Sequence, residues 1–247
     1  MGLLSSQSLL EIIWFLFQKE HTLYFTGLFY TVLIALVGTM LGLLLSIFLT
    51  LMRLLENEAK DSALLKVLKW FTRNMGNTYV QFFRGSPLIV QAMIFYYGLA
   101  SLGVQLNLIV AGIIIVTLNS AAYLSEVLRA GINSIDKGQM DAALSIGMTK
   151  WQGYRHIIFP QVLNNMIPAI GNELVINIKD TAVLSVIGVG ELFYMGRSVA
   201  GTYYRYTESF LIVALLYLVV VLITTRLLDY LVKKVSSEKE NCTVCSE

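Results

Sequence analysis

Between Arg84 and Glu126 the chain carries no Asp, Glu, Lys or Arg. A helix needs about 20 apolar residues to cross the hydrocarbon core of a bilayer, so this stretch has room for two crossings. The small and polar residues from Gly98 to Asn107 supply a turn between them. A second uncharged run covers residues 22–52, and two shorter ones, 156–172 and 209–225, are lengthened by apolar residues beyond their flanking charges. Buried helices of soluble proteins rarely hold apolar runs beyond about 14 residues. The composition agrees: 56% hydrophobic and 14% charged, with a mean hydropathy of +0.69, where soluble domains average about 25% charged. These runs describe an all-α integral membrane protein with five transmembrane helices, at about 22–52, 86–101, 107–129, 160–180 and from 207 onward.

Orientation follows from the loops, because positive charge resists translocation during insertion. With the N-terminus outside, every Lys and Arg except Lys19, Lys179, Arg197 and Arg205 falls on the cytoplasmic side. The C-terminus is then cytoplasmic. Residues 1–21 lack the basic start of a cleavable signal, and Leu9, Leu10, Ile12, Ile13, Phe15, Leu16 and Phe17 suggest an interfacial helix. The membrane domain runs over 22–232. Residues 233–247 form a charged tail expected to be disordered, whose Cys242 and Cys245 are too few for a closed zinc site. The inner segment 53–84 is expected to continue the first span and then turn amphipathic. Tyr24, Tyr30, Tyr96, Tyr97, Tyr203, Tyr204 and Tyr206 fall at span ends and read as interfacial anchors.

Pro168 lies within the fourth span, where it removes a backbone hydrogen bond and favours a kink. The Gly-punctuated stretch 182–201 follows outside and is expected to re-enter or cap a pore. Asn119, Ser120 and Glu126 read as polar glue between helices, with Glu126 paired to Arg129.

The most informative segment lies in the cytoplasmic loop 136–160. Met140 to Ile146 favours a short helix, Ala142 and Ala143 give it a flat surface that can seat in a groove, and Gly147 permits a sharp turn. Asp141-Ala142-Ala143, Gly147, Ile157, Phe159 and Pro160 resemble the EAA loop of ATP-binding cassette (ABC) importer permeases. Asp141 stands where that pattern has Glu, and Phe159 where it has Leu. Phe83-Arg84-Gly85-Ser86-Pro87-Leu88, Ala122-Tyr123-Leu124-Ser125-Glu126 and Arg129-Ala130-Gly131-Ile132 resemble the polar amino-acid branch of the same type I importers, the glutamine, histidine and arginine permeases.

The resemblance implies a second permease subunit, identical or related, two cytoplasmic ATPase subunits and an extracytoplasmic amino-acid-binding protein, with this chain in a bacterial plasma membrane. The loop becomes the coupling helix, with Asp141, Ala142, Ala143 and Gly147 receiving the ATPase. This chain has no G-x-x-x-x-G-K-[ST] phosphate loop, so ATP and Mg are expected on the partner and no cofactor here.

Glu173, Asn177 and Asp180 are spaced i, i+4 and i+7, which puts them on one face of a helix. Carboxylates within a span are costly and usually face a cavity or a charged partner. A carboxylate can accept a charge-assisted hydrogen bond from a substrate ammonium group, with Asn177 beside it. The resemblance adds that related permeases contact the transported amino acid through a Glu and, seven residues on, an Asp, here Glu173 and Asp180. The alternative for these two is pairing with Lys179, Arg197 or Arg205. The expected function is import of a polar amino acid, glutamine-like rather than basic, driven by ATP. An ion-coupled secondary transporter is the alternative class. His21 and His156 are far apart in sequence and accompany no hydrolytic motif, so no enzyme site is expected.

Overall fold

The computed structural model describes residues 8–57 and 61–244. The start of the expected interfacial segment, Cys245 and the side chain of Cys242 lie outside what is described. Among the described residues all regular structure is helical: α1 (Leu9–Arg53), α2 (Ala63–Gly85), α3 (Leu88–Ser101), α4 (Leu108–Asn133), α5 (Lys137–Ser145), α6 (Lys150–Gly153), a π turn (Tyr154–Ile158), α7 (Phe159–Asp180), a 3-10 turn (Thr181–Ile187), α8 (Leu192–Tyr203) and α9 (Tyr206–Val244).

Three of these helices are long and apolar enough to cross a bilayer: Leu9–Arg53, Leu108–Asn133 and Tyr206–Lys233. A fourth crossing arises if Asn164–Ile187 and Leu192–Tyr203, which meet at 53°, count as one broken span. The expected second span, α3, has 14 residues. At 1.5 Å per residue it covers about 21 Å, short of a 30 Å core. The chain breaks at Ser86-Pro87 because proline disfavours helical backbone in the residue before it.

The first two expected elements meet at a kink: α1 covers Leu9–Arg53, but non-helical torsions at Glu20 (φ −115°, ψ 17°) divide the N-terminal helical segment from the first span. Span one does not continue into the inner segment but stops at Arg53, and α2 starts afresh behind Ser62, whose hydroxyl accepts from the Leu65 N–H. The last helix passes position 232 and reaches Val244.

The chain forms two compact units. The first comprises residues 8–38, 87–117 and 174–224. One of its cores joins Ile34, Ala92, Ala111, Ile115, Leu184 and Val189, where alanines let helix backbones approach closely. A second joins Ile12, Leu16, Tyr24, Leu192, Val199 and Ile212. Tyr24 is therefore no interfacial anchor: its ring is fully buried and its hydroxyl meets Ser209 Oγ at 2.8 Å. The hydrogen bond offsets the cost of burying that hydroxyl. Tyr97, Tyr204 and Tyr206 do stay exposed.

The second unit comprises residues 39–57, 61–86, 118–173 and 225–244. Leu128, Ile158, Val162 and Met166 form its core, flanked by Ile47, Met140 and Ile170. Within it α2 turns an apolar face outward, Leu64, Val67, Trp70, Phe71 and Met75, while Gly76 and Val80 are buried. The half-buried positions Lys66, Lys69, Arg73 and Asn77 are polar, and so large an apolar outer face suits lipid surroundings.

Candidate functional site

Two groups of residues carry the functional expectations: the loop 136–160 and the acidic positions of α7. In the loop, Asp136 caps α5 by accepting the Gly138 N–H at 2.7 Å. The helix ends in a Schellman motif, with Met148 N–H on Ala143 O (3.1 Å) and Gly147 N–H on Leu144 O (3.0 Å). Gly147 stands at φ +85°, a left-handed conformation that costs other L-residues about 1–2 kcal/mol. Thr149 and Gln152 then form a capping box that starts α6.

These caps fix which side of α5 faces out. Met140 and Ala143 point at Gly153 of α6, where an added Cβ would lie 2.8 Å from Met140 Sδ and 3.6 Å from Ala143 Cβ. Asp141 and Ala142 are exposed, as are Ile146 and Trp151. The two alanines thus do not share an outer surface: successive residues differ by about 100° around a helix, so one faces out and the other seals the inside. The outer surface instead carries Asp141, Ala142, Ile146 and Trp151.

The loop is also tied to the helix that follows. Gln161 of α7 donates from Nε2 to Gln139 Oε1 at 2.7 Å and to Ile157 O at 2.8 Å. Between α6 and α7 the π turn adds the wider winding often found where helices serve function.

Helix α7 carries Glu173, Asn177 and Asp180, and runs through Pro168 without a break in helical assignment. A bend of 53° lies farther along, between Ile187 and Leu192, beyond the 3-10 turn. Glu173 belongs to the second unit and is buried. Asn177 and Asp180 belong to the first, Asn177 buried and Asp180 half-buried. Of the cations considered as partners for these carboxylates, Arg205 lies 3.4 Å from Glu208, and Arg197 stacks over Tyr194 at 5.7 Å.

Glu191 escaped the sequence reading. It is fully buried in the first unit and caps α8, accepting from the N–H groups of Phe193 (2.8 Å) and Tyr194 (2.7 Å) and from the Tyr217 hydroxyl (2.9 Å). Thr31 Oγ1 accepts the neighbouring Leu192 N–H at 3.1 Å. Carboxylates at a helix N-terminus also gain from the helix dipole. The available clue was Glu191 directly before an apolar helix and just after Gly188 and Gly190.

Of the interhelical polar residues, Glu126 pairs with Arg129 as expected, and also with Arg53 at 2.9 Å. Asn119 donates to Phe83 O at 3.4 Å.

Residues 62–237 match the family described as binding-protein-dependent transport system inner membrane component. The chain is 38% identical over 200 residues to an arginine transport system permease protein, ArtQ, of Bacillus subtilis, covering 81% of this chain and 86% of the relative. It is 31% identical over 215 residues to a probable glutamine ABC transporter permease protein, GlnM, of the same organism, covering 87% and 94%. Among solved structures it is similar to an amino acid ABC transporter crystallised with histidines, at a TM-score of 0.79 and 31% identity, over 93% of this chain and 99% of that one.

Proposed function

Starting from the fact that the chain belongs to the family of binding-protein-dependent transport system inner membrane components, and is a multi-pass permease of an amino-acid ABC importer, we propose that it moves a polar, glutamine-like amino acid inward using ATP hydrolysed on separate subunits. ATP and Mg bind those ATPase subunits. A second permease subunit, the same or related, and an extracytoplasmic binding protein complete the assembly. The N-terminus faces outward and the loop 136–160 faces the cytoplasm.

The observation that carries this reading is the construction of that loop. Its helix α5 is capped at both ends, sealed to α6 through Met140, Ala143 and Gly153, and joined to α7 through Gln139 and Gln161. Asp141, Ala142, Ile146 and Trp151 are left outward for an ATPase surface. A push on α5 would then travel into α7, the helix bearing Glu173. Glu173 would accept the substrate ammonium group, with Asn177 adding a neutral hydrogen bond and Asp180, about two turns further along α7, contacting the substrate elsewhere.

Reconstitution of the complex in proteoliposomes tests it. Uptake is expected to require ATP and the binding protein; uptake driven by an ion gradient without ATP would instead establish a secondary transporter. A second reading, a basic amino acid, is favoured by the two carboxylates on one helix and by the likeness to an arginine permease. Competition among glutamine, glutamate, histidine, arginine and lysine decides: inhibition confined to arginine and lysine would replace the neutral substrate by a basic one.

A further inference from the structure

In the second unit, three guanidinium groups surround one carboxylate. Glu126 Oε2 lies 2.9 Å from Arg53 Nη2 and 4.0 Å from Arg84 Nη1, and its Oε1 is engaged by Arg129. Arg53 is the anchored member: it also donates to Asn77 Oδ1 (2.8 Å) and Ser125 Oγ (3.2 Å). Its side chain crosses α2 at Gly76, where an added Cβ would come within 2.9 Å of Arg53 Cγ. Side-chain exposure separates the four groups: Arg53 10%, Glu126 24%, Arg129 41% and Arg84 42%.

The cluster therefore has a closed side and an open side. Both carboxylate oxygens are taken up by Arg53 and Arg129, while three positive charges face a single negative one. Arg84 stacks over the half-exposed ring of Tyr123 at 5.5 Å, which holds its planar fork in place. Two partly exposed guanidinium groups, in a cluster where three positive charges meet one negative, suit the oxygens of a phosphate, which guanidinium binds in pairs.

Position selects among phosphates. Arg84 and Glu126 bound the long uncharged run, so the cluster stands where hydrocarbon gives way to headgroups, and basic pockets at that level suit anionic lipids. We propose that Arg84 and Arg129, organised by Glu126 and Arg53, form a binding site for the phosphate group of an anionic membrane phospholipid.

The test uses the purified full chain in mixed micelles of equimolar phosphatidylglycerol and phosphatidylcholine, with bound lipid counted by native mass spectrometry. Phosphatidylglycerol is expected to be retained in preference by about tenfold, because both lipids offer the same phosphodiester but phosphatidylcholine brings a choline cation up to the arginine cluster and has no net charge to be attracted. R84Q/R129Q is expected to bring the two lipids to parity, while R155Q, an exposed arginine elsewhere, keeps the preference. Should the double variant aggregate, R84Q alone decides, since Arg84 approaches Glu126 only at 4.0 Å. Preference unchanged in these variants overturns the proposal. So does displacement of the lipid by millimolar inorganic phosphate, which would mark a site for the free anion. Retained lipid preference in R84Q/R129Q with loss of ATPase co-purification would assign the cluster to a protein partner.

Discussion

At the scale of single residues, two positions carry consequences that differ in kind. Gly147 holds a backbone conformation at φ +85°, and open space surrounds its α-carbon. Substitution there acts through strain alone. G147A is expected to cost about 1–2 kcal/mol locally, fraying the Schellman end of α5, so that ATP hydrolysis by the assembled importer persists while substrate uptake falls several-fold. Parallel phosphate-release and uptake assays check it; a proportional loss of both would mean that the loop end is not where motion is passed on. Glu191 acts through burial. E191A removes the acceptor of two helix N–H groups and of Tyr217 and is expected to destabilise the chain by about 2–4 kcal/mol, read as a lower thermal unfolding midpoint in detergent. Y217F, which removes only one of those donors, is expected to lower it less.

At the scale of elements, α5 is tied to α7 both by Met140, packed against the core that holds Val162 and Met166, and by the Gln161–Gln139 hydrogen bond, which substitution can remove by itself. Q161L retains volume and apolar contact but cannot donate to Gln139 or to the Ile157 carbonyl. It is expected to lower the ratio of amino acid transported to ATP hydrolysed, with the chain still assembled; Q139L is expected to match it, and the double variant to be no worse than either. Additive losses would show that the two glutamines act separately.

Most elements could be read from the sequence because hydropathy and caps are local. The uncharged run bounded by Arg84 and Glu126 did hold α3, a turn around Gly103 and α4. Gly147 does close α5, but the helix starts at Lys137 rather than at Met140, because Asp136 caps it three residues earlier than the sequence suggests. What escaped was long-range or rotational. That Glu126 meets Arg53 across 73 positions, or that Ser209 meets the Tyr24 hydroxyl across 185, has no local signature. Ala142 and Ala143 were placed together because composition does not reveal which turn of a short helix packs inward. For the acidic positions of α7, spacing supplied the shared helical face, while their partners depend on neighbours far along the chain.

At the scale of the whole molecule, the decisive quantities belong to the assembly. E173Q is nearly isosteric and removes only the charge. It is expected to reduce uptake by at least about tenfold, the effect of one lost charge-assisted hydrogen bond, while leaving ATPase-subunit binding unchanged in pull-down. D180N is expected to act in the same direction. Unaltered uptake in both variants would move substrate recognition off α7. The mass of the purified complex would show whether one or two kinds of permease chain are present.

The π turn at Tyr154–Ile158 sets a phase relation along the chain. A π turn accommodates one residue more than the same length of α-helix, and each residue advances a helix by about 100°. The outward bearing of Asp141 relative to Glu173 is therefore fixed by a count of residues between them as much as by their identities. Losing a single residue from 154–158 would let the turn relax to ordinary α-helix with the bearing nearly kept, whereas losing one from the regular helix at 159–172 would swing the loop about a quarter-turn out of alignment. Along 159–172 length itself is under constraint, and replacements are tolerable where deletions are not, while the π turn holds one residue of slack.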